Sequence, residues 1–343
     1  MSDAQPPILV LGNGSWGTTL ALVLARKGLD VCLWGRDADQ IAILAETHLN
    51  ERYLPGVLLP DNLRFSADPT QAAAGAELVI SVIPTQHLRS VLVQFEDVLP
   101  GTLPVVSASK GLEVETFQPP TKIIGEVLGE RPLCVLTGPS HAEEVARGLP
   151  ASLVACSTDS GVAEQVQEVL SCETLRVYTN SDPLGAEFAA ALKNVIAIGA
   201  GICDGLALGD NAKAALITRG VVEIARFGNR RGAQPETFFG LAGIGDLMTT
   251  CFSEHSRNRA VGEAIGGGES LDHLLARMHM VAEGVWTTRA LFGPEAETEG
   301  ISMPIAKQVH ACLFEGKDPR QAVSDLMTRS PQEELTGIMQ DST

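Results

Sequence analysis

Positive charge is scarce in this chain: 25 Lys and Arg stand against 42 Asp and Glu, a formal net charge of −17. A basic face is needed to neutralise nucleic-acid phosphates or an anionic membrane surface, so neither is expected as a partner. An anionic metabolite stays within reach, provided a few cations converge in one cleft. Metal and disulfide frameworks are also missing. The seven cysteines (32, 134, 156, 172, 203, 251 and 312) form no CxxC pair, and there is no HExxH and no Cys/His cluster, so no metal is expected. Such an odd, scattered set in apolar contexts reads as reduced thiols of a cytoplasmic protein. Met1 to Pro7 has no basic start and no apolar run, which argues against a signal peptide. The most apolar stretch, Leu184 to Leu208, is broken by Glu187, Lys193 and Asp204 and reads as a buried helix, not a membrane span.

What is present suffices for two cores: 343 residues, 45% hydrophobic and 20% charged. Near the start, the apolar run Ile8–Leu11 leads directly into Gly12-Asn13-Gly14-Ser15-Trp16-Gly17. An apolar helical stretch, Thr18 to Lys27, and a second strand, Asp30 to Gly35, follow. In this setting GxGxxG indicates a dinucleotide site. Gly12 allows the turn, Gly14 lets a pyrophosphate approach the backbone, and Gly17 lets the helix pack close to the strand. The free N–H groups and dipole of the helix start supply the anion site.

Further apolar runs at 31–34, 78–83, 103–107, 133–137, 151–156 and 174–178 alternate with helical periods at 16–28, 37–48, 85–95, 118–129, 140–147 and 160–171. That alternation predicts an α/β fold whose N-terminal part is a Rossmann-type, doubly wound parallel sheet. Beyond Asp182 the strand signal stops, and helices are expected at 184–207, 211–228, 256–266, 282–298, 304–314 and 319–328, with glycine-rich gaps such as 240–245. The reading is a dinucleotide-binding domain over 1–182 and an all-helical substrate and catalytic domain over 183–343, with chemistry in the cleft between them.

The second strand ends Leu33-Trp34-Gly35-Arg36-Asp37. Arg36 stands about twenty residues past the glycine turn, where an NAD-preferring site carries an acid; Arg there favours a 2′-phosphate or stacks on adenine. This leans the cofactor to NADPH, with NADH as the alternative. Asp37 is either that acid, one place late, or a helix N-cap.

Three segments carry candidate chemistry. Lys193 is a lone cation in the apolar helix Ala189–Ile198, where desolvation should lower its pKa toward neutrality and suit it to proton transfer. The adjacent Asn194 could orient substrate or cap a network. In Gly240–Thr250 a glycine-rich backbone delivers one carboxylate, Asp246, which is either functional or a loop residue capping the next turn. Ser256-Arg257-Asn258 opens a helix with a Ser N-cap, free N–H groups and an Arg, a possible phosphate cradle. At the carboxyl edge of the sheet, Lys110 follows the strand 103–107, and Gly138 and Ser140 follow 133–137. His141 sits after a serine expected to cap helix 140–147, which makes it a poor acid/base candidate.

The segments GNGSWGTTLA (12–21), LWGRD (33–37), SASKGLE (107–113), TGPSHAEE (137–144), ALKNVIAIGAG (191–201), NAKAALITRG (211–220), GLAGIGDLMTTC (240–251), SRNRAVG (256–262) and VAEGVWTT (281–288) together closely resemble the bacterial NAD(P)-dependent glycerol-3-phosphate dehydrogenases, in order and spacing from end to end. The resemblance implies reversible reduction of dihydroxyacetone phosphate to sn-glycerol 3-phosphate, supply of glycerophospholipid synthesis, and a homodimer. It implies Lys193 as general acid/base, Lys110 as a second cation at the reacting oxygen, and Asp246 in the catalytic network. Gly138, Ser140, Asn194, Ser256, Arg257 and Asn258 would meet the substrate. Ser15, Trp16, Arg36, Ala142, Val281 and Glu283 would meet the cofactor, with Lys110 and Arg257 serving both. The nearest rival is a 6-phosphogluconate type of hydroxyacid dehydrogenase, which shares the Lys-Asn pair; the rival of another class is a catalytically silent NAD(P) sensor. TGPSHA and GLAGIGD followed by SRNR favour the glycerol-phosphate reading over the first, and retention of Lys110, Lys193 and Asp246 together speaks against the second.

Overall fold

The computed structural model describes residues 7–277, 282–296, 298, 300–331 and 333–335. Two compact units emerge: residues 1–109 with 120–183, and residues 110–119 with 184–343.

The first unit is built on ten strands: β1 Ile8–Leu11, β2 Val31–Trp34, β3 Leu49–Asn50, β4 Leu54–Leu58, β5 Leu63–Ser66, β6 Leu78–Ser81, β7 Val105–Ser107, β8 Leu133–Thr137, β9 Ala151–Cys156 and β10 Leu175–Asn180. Eight of them form one sheet in the order β10-β9-β8-β7-β6-β1-β2-β5, while β3 and β4 make a small antiparallel hairpin. Strands β1 and β2 are apolar and buried at every position because helices cover both faces. Leu9, Leu11, Cys32, Trp34 and Val79 pack into one core; Ile8, Val10, Leu33, Ile80 and Val106 pack into the other. The order reverses at β1, which places a ligand crevice at its carboxyl end.

The sheet departs from the expected one in two places. The β8–β9 pair is antiparallel, so the sheet is mixed. The edge strand β5 and the hairpin β3–β4 escape a periodicity reading because they are short and partly exposed. The expected apolar runs from 31–34 to 174–178 all become strands of the large sheet.

The second unit is helical. Its long elements are Pro183–Gly205, Asp210–Arg230, Arg257–Gly266, Glu283–Leu291, Pro304–Phe314 and Pro319–Met327. Pro183–Gly205 is long and apolar enough to cross a membrane, yet its apolar window is wholly buried within the protein. The unit also takes in Lys110–Pro119, read from sequence as part of the first domain. After β7 the chain leaves the sheet, the Lys110 ammonium pairs with Asp246, and the Phe117 ring meets Phe227 edge-on at 6.1 Å.

A buried carboxylate ties two of these helices. Glu223, on Asp210–Arg230, accepts hydrogen bonds from the N–H groups of Ile305 (2.9 Å) and Ala306 (2.8 Å), and so caps Pro304–Phe314. Burial pushes its carboxyl up to about 7 against the bonds from Ala306 and Ile305 and the nearby Arg226 and Arg329. A carboxyl raised in the folded state binds its proton more tightly there than in the unfolded chain. Stability should therefore fall as pH rises from about 4.5 to 7, by about 3 kcal/mol for such a shift. Glu223→Gln should flatten that slope in urea melts taken between those pH values; an unchanged slope would assign it to other groups.

Candidate active site

The glycine turn has the geometry of an anion cradle. Gly12 takes φ +110°, which a side chain would strain, and a Cβ on Gly17 would lie 1.9 Å from Gly12 O. Gly14 is the N-cap of helix Ser15–Arg26, offers no side-chain cap, and faces open space. Among the described residues, the N–H groups of the first turn therefore have no side-chain cap. Ser15 opens the helix, Trp16 packs partly buried against the core, and Arg36 is exposed just beyond β2. Asp37 is a helix N-cap, its Oδ1 accepting from Gln40 N at 3.1 Å, which leaves Oδ2 facing the rim.

Along the carboxyl edge, Gly138 follows β8 at φ +130°, where a Cβ would meet Ser152 O at 3.1 Å. Ser140 does not cap the next helix, contrary to expectation. Its hydroxyl donates back to Gly138 O at 3.0 Å, and the helix starts one turn position later at Ala142, behind His141. Ala142 is buried, and its carbonyl accepts from Thr19 Oγ1 at 3.3 Å. Sequence reasoning passed over Ser81, Ser107 and Thr137. Their buried hydroxyls, at the ends of β6, β7 and β8, have no hydrogen-bond partner among the described residues. Unsatisfied donors on the ligand edge of such a sheet fit a polar group arriving there.

In the helical unit, one carboxylate gathers two ammonium groups. Asp246 Oδ1 accepts from Lys193 Nζ at 2.8 Å, and Oδ2 accepts from Lys110 Nζ at 2.7 Å. Lys193 also donates to Thr250 Oγ1 at 2.6 Å, and that hydroxyl donates to Asp246 O at 2.6 Å. An ammonium carries three N–H groups; these two bonds leave Lys193 one more to offer. Asp246 does not lie in a loop. Leu241–Gly245 is a π-helical turn, and Asp246 begins the α-helix Asp246–Phe252, which sets Thr250 one turn away on the same face. Gly243 makes the turn possible, since a Cβ there would sit 2.0 Å from Phe238 O. Thr250 is a further residue the sequence reading missed; its i+4 spacing from Asp246 was the available signal.

The side chains of Lys193 and Asp246 are about 5% and 4% exposed, and that of Lys110 21%. Burial pulls Lys193 down to about 8, against the pull of the Asp246 charge and with the help of Lys110. Burial alone would raise the Asp246 carboxyl, but the Lys110 and Lys193 charges together outweigh it and hold it below the usual range. The arrangement is a proton donor near neutrality held beside a second, more exposed cation.

The helix Arg257–Gly266 is fixed against the lysine helix by backbone contact. A Cβ on Gly201 would lie 2.0 Å from Arg259 O, and one on Gly262 would lie 1.9 Å from Ile198 O. Arg259 Nε adds a bond to Asp204 Oδ2 at 2.7 Å, and Lys213 holds the same carboxylate at 2.8 Å. Ser256 is the N-cap, its Oγ accepting from Arg259 N at 3.2 Å, and Arg257 is exposed in the first turn. Asn258 is turned inward: Nδ2 donates to Asn194 Oδ1 at 2.9 Å and Oδ1 accepts from Gly284 N at 2.9 Å. Asn194 donates in turn to Ala190 O at 3.2 Å. The two asparagines thus join three helices. Glu283 opens the third of them, and Val281 lies outside the described residues.

Residues 7–163 match the N-terminal region, and residues 182–324 the C-terminal region, of NAD-dependent glycerol-3-phosphate dehydrogenase. The chain belongs to the NAD-dependent glycerol-3-phosphate dehydrogenase family. Among the members it is similar to, glycerol-3-phosphate dehydrogenase [NAD(P)+] of Chlorobium phaeobacteroides (strain BS1) is 47% identical over 96% of this chain and 99% of its own. The same-named protein of Geobacillus kaustophilus (strain HTA426) is 47% identical over 96% of this chain and 97% of its own. The crystal structure of glycerol-3-phosphate dehydrogenase from Coxiella burnetii superimposes with a TM-score of 0.90 at 38% identity, over 95% of this chain and 99% of that one. The family resemblance read from the motifs is therefore correct, and so is the fold class: a Rossmann-type sheet with a helical C-terminal part.

Proposed function

We propose that the protein reduces dihydroxyacetone phosphate to sn-glycerol 3-phosphate, reversibly, with NADPH in preference to NADH. The observation that carries the reading is the Lys110–Asp246–Lys193 array, in a chain that also has an uncapped glycine turn opening Ser15–Arg26. The cofactor, when bound, supplies hydride to the carbonyl carbon. Lys193 protonates the carbonyl oxygen through its remaining N–H, and in reverse takes the proton from the hydroxyl. Lys110 stabilises the negative charge that develops on that oxygen; a preorganised donor of this kind is often worth about 3–4 kcal/mol. Asp246 and Thr250 hold the Lys193 ammonium in place. Arg257 and the N–H groups after Ser256 take the substrate phosphate, and this non-reacting group holds the carbonyl in register. Asn194 and Asn258, tied to each other, orient that helix start, with Gly138 and Ser140 as further substrate contacts. Ser15, Trp16, Arg36, Ala142, Val281 and Glu283 serve the cofactor, and Lys110 and Arg257 serve both ligands.

Convergence of these few cations is what allows a chain of net charge −17 to take a dianion. The seven free cysteines, all but Cys172 buried, suit a reducing cytoplasm. The apolar helical half suits a homodimer, and the product suits supply of glycerophospholipid synthesis. The dinucleotide domain reaches to about residue 182, with Lys110–Pro119 lent to the helical unit.

The test is absorbance at 340 nm with purified protein, dihydroxyacetone phosphate and either NADPH or NADH. Oxidation that requires the phosphorylated ketone, faster with NADPH, is the expected result; no oxidation with cofactor bound would turn the assignment to another hydroxyacid or to the sensor. Arg257→Ala should raise KM for dihydroxyacetone phosphate about 10- to 100-fold with a smaller change in kcat, as for a lost charge-assisted contact. An unchanged KM would remove Arg257 from the phosphate site.

A further inference from the structure

The hairpin of β3 and β4 is fastened to the glycine turn. Asn50, buried at its start, donates through Nδ2 to Asn13 O at 2.9 Å and to Thr18 Oγ1 at 2.7 Å. Its Oδ1 accepts from Tyr53 N at 3.3 Å, which closes the turn over residues 51–52. Asn13 lies between the second and first glycines of the motif, so the hairpin tip is held to the backbone that would cradle a pyrophosphate. The Asn13 side chain packs against Gly35, the residue before Arg36, and its Nδ2 is buried with no hydrogen-bond partner among the described residues.

The tip presents Arg52. Its guanidinium lies 5.1 Å from the centre of the Tyr53 ring and 4.0 Å from Asp37 Oδ2. Asp37 is itself fixed as the N-cap of Ala38–Thr47, and Arg36 is its neighbour. Two arginines therefore share the rim beyond the end of β2, in a protein with 25 basic residues against 42 acidic ones. That rim is where a dinucleotide-binding sheet meets the 2′ position of the adenosine ribose.

We propose that Arg52 is a second guanidinium for the cofactor's 2′-phosphate, beside Arg36, and a determinant of preference for NADPH over NADH. The inference rests on the cofactor reading above and adds a residue to it. Arg52 neutralises Asp37, whose carboxylate would otherwise repel a 2′-phosphate, and offers planar donors that match phosphate oxygens. Without Arg52 the same carboxylate is left to the ribose hydroxyls, which favours the cofactor lacking the phosphate.

Isothermal titration of the full chain with 2′,5′-ADP and with 5′-AMP tests this without turnover. Wild type should bind 2′,5′-ADP at least about tenfold more tightly than 5′-AMP, as expected for a charge-assisted contact. Arg52→Ala should lose most of that ratio, chiefly by weakening 2′,5′-ADP, and Arg52→Lys should recover part of it. A wild type that does not distinguish the two nucleotides would overturn the NADPH preference itself. A wild type that does distinguish them, with the ratio intact in Arg52→Ala and lost in Arg36→Ala, would overturn the role of Arg52 and leave the preference to Arg36.

Discussion

Replacing Lys193 with alanine should lower kcat for dihydroxyacetone phosphate reduction by about 10³-fold or more, while the affinity for NADPH stays close to wild type. General acid catalysis is worth about 10²- to 10⁴-fold, and this residue also places positive charge at the reacting oxygen. The truncation leaves Asp246 paired to Lys110 at 2.7 Å, so the local structure keeps a counter-charge for the buried carboxylate. Rapid-mixing turnover and a separate NADPH titration by fluorescence measure the two effects. A normal kcat would end the assignment of Lys193 as the acid. A parallel loss of cofactor binding would mean that the residue supports structure more than chemistry.

The second large effect is expected at Asp246. Asn is close to Asp in shape but cannot neutralise two ammonium groups, and breaking a buried ion pair from one side typically costs about 3–5 kcal/mol. The Asp246→Asn variant should unfold at lower denaturant concentration, so kcat must be measured where circular dichroism shows it folded. There kcat should still fall by about 10²-fold or more. The pH profile distinguishes a change in chemistry from a loss of fold. Reduction needs the Lys193 ammonium, so kcat/KM should decline as pH rises through about 8, where burial has brought that lysine. The reverse reaction needs the free amine and should rise through the same range. Asp246 pulls the Lys193 pKa upward. Its loss must therefore move both limbs to lower pH, by about one unit or more for a charge at contact distance. A limb that stays near 8 would belong to another group.

Much of this was legible in residues and spacing. The glycine turn was readable because its three roles are local: a positive φ at Gly12, an open approach at Gly14, and contact between Gly17 and Gly12 O. The central strands were readable because burial on both faces leaves no polar position in Ile8–Leu11, Val31–Trp34 or Leu133–Cys134 to blur the run. Lys193 was conspicuous for the opposite reason, the one cation in a helix whose every residue from Gly185 to Cys203 is buried. Its lowered pKa follows from that apolar context and was expected from it.

Other features had no local signature. Gly240–Gly245 has the composition of a loop, and only its packing on Phe238 makes it a π-helical turn that aims Asp246 and Thr250 the same way. Ser140 and Ser256 look alike as caps in the sequence; the first bonds back to Gly138 while the second caps its helix. Asn258 stands in the sequence as one more polar residue of a helix start; its bonds to Asn194 and Gly284 come from two other helices. Glu223 resembles any acidic residue of an amphipathic helix until two N–H groups of a helix about eighty residues away close over it.

The type of the central strands and long helices, the dinucleotide turn and the desolvated Lys193 were thus set by the sequence itself, because periodicity and local sterics act within a few residues. The partners of that lysine were decided by tertiary structure. Lys110 and Lys193 reach one carboxylate across 136 and 53 residues, and the strength of such a contact depends on the water excluded around it, which no local stretch of chain determines.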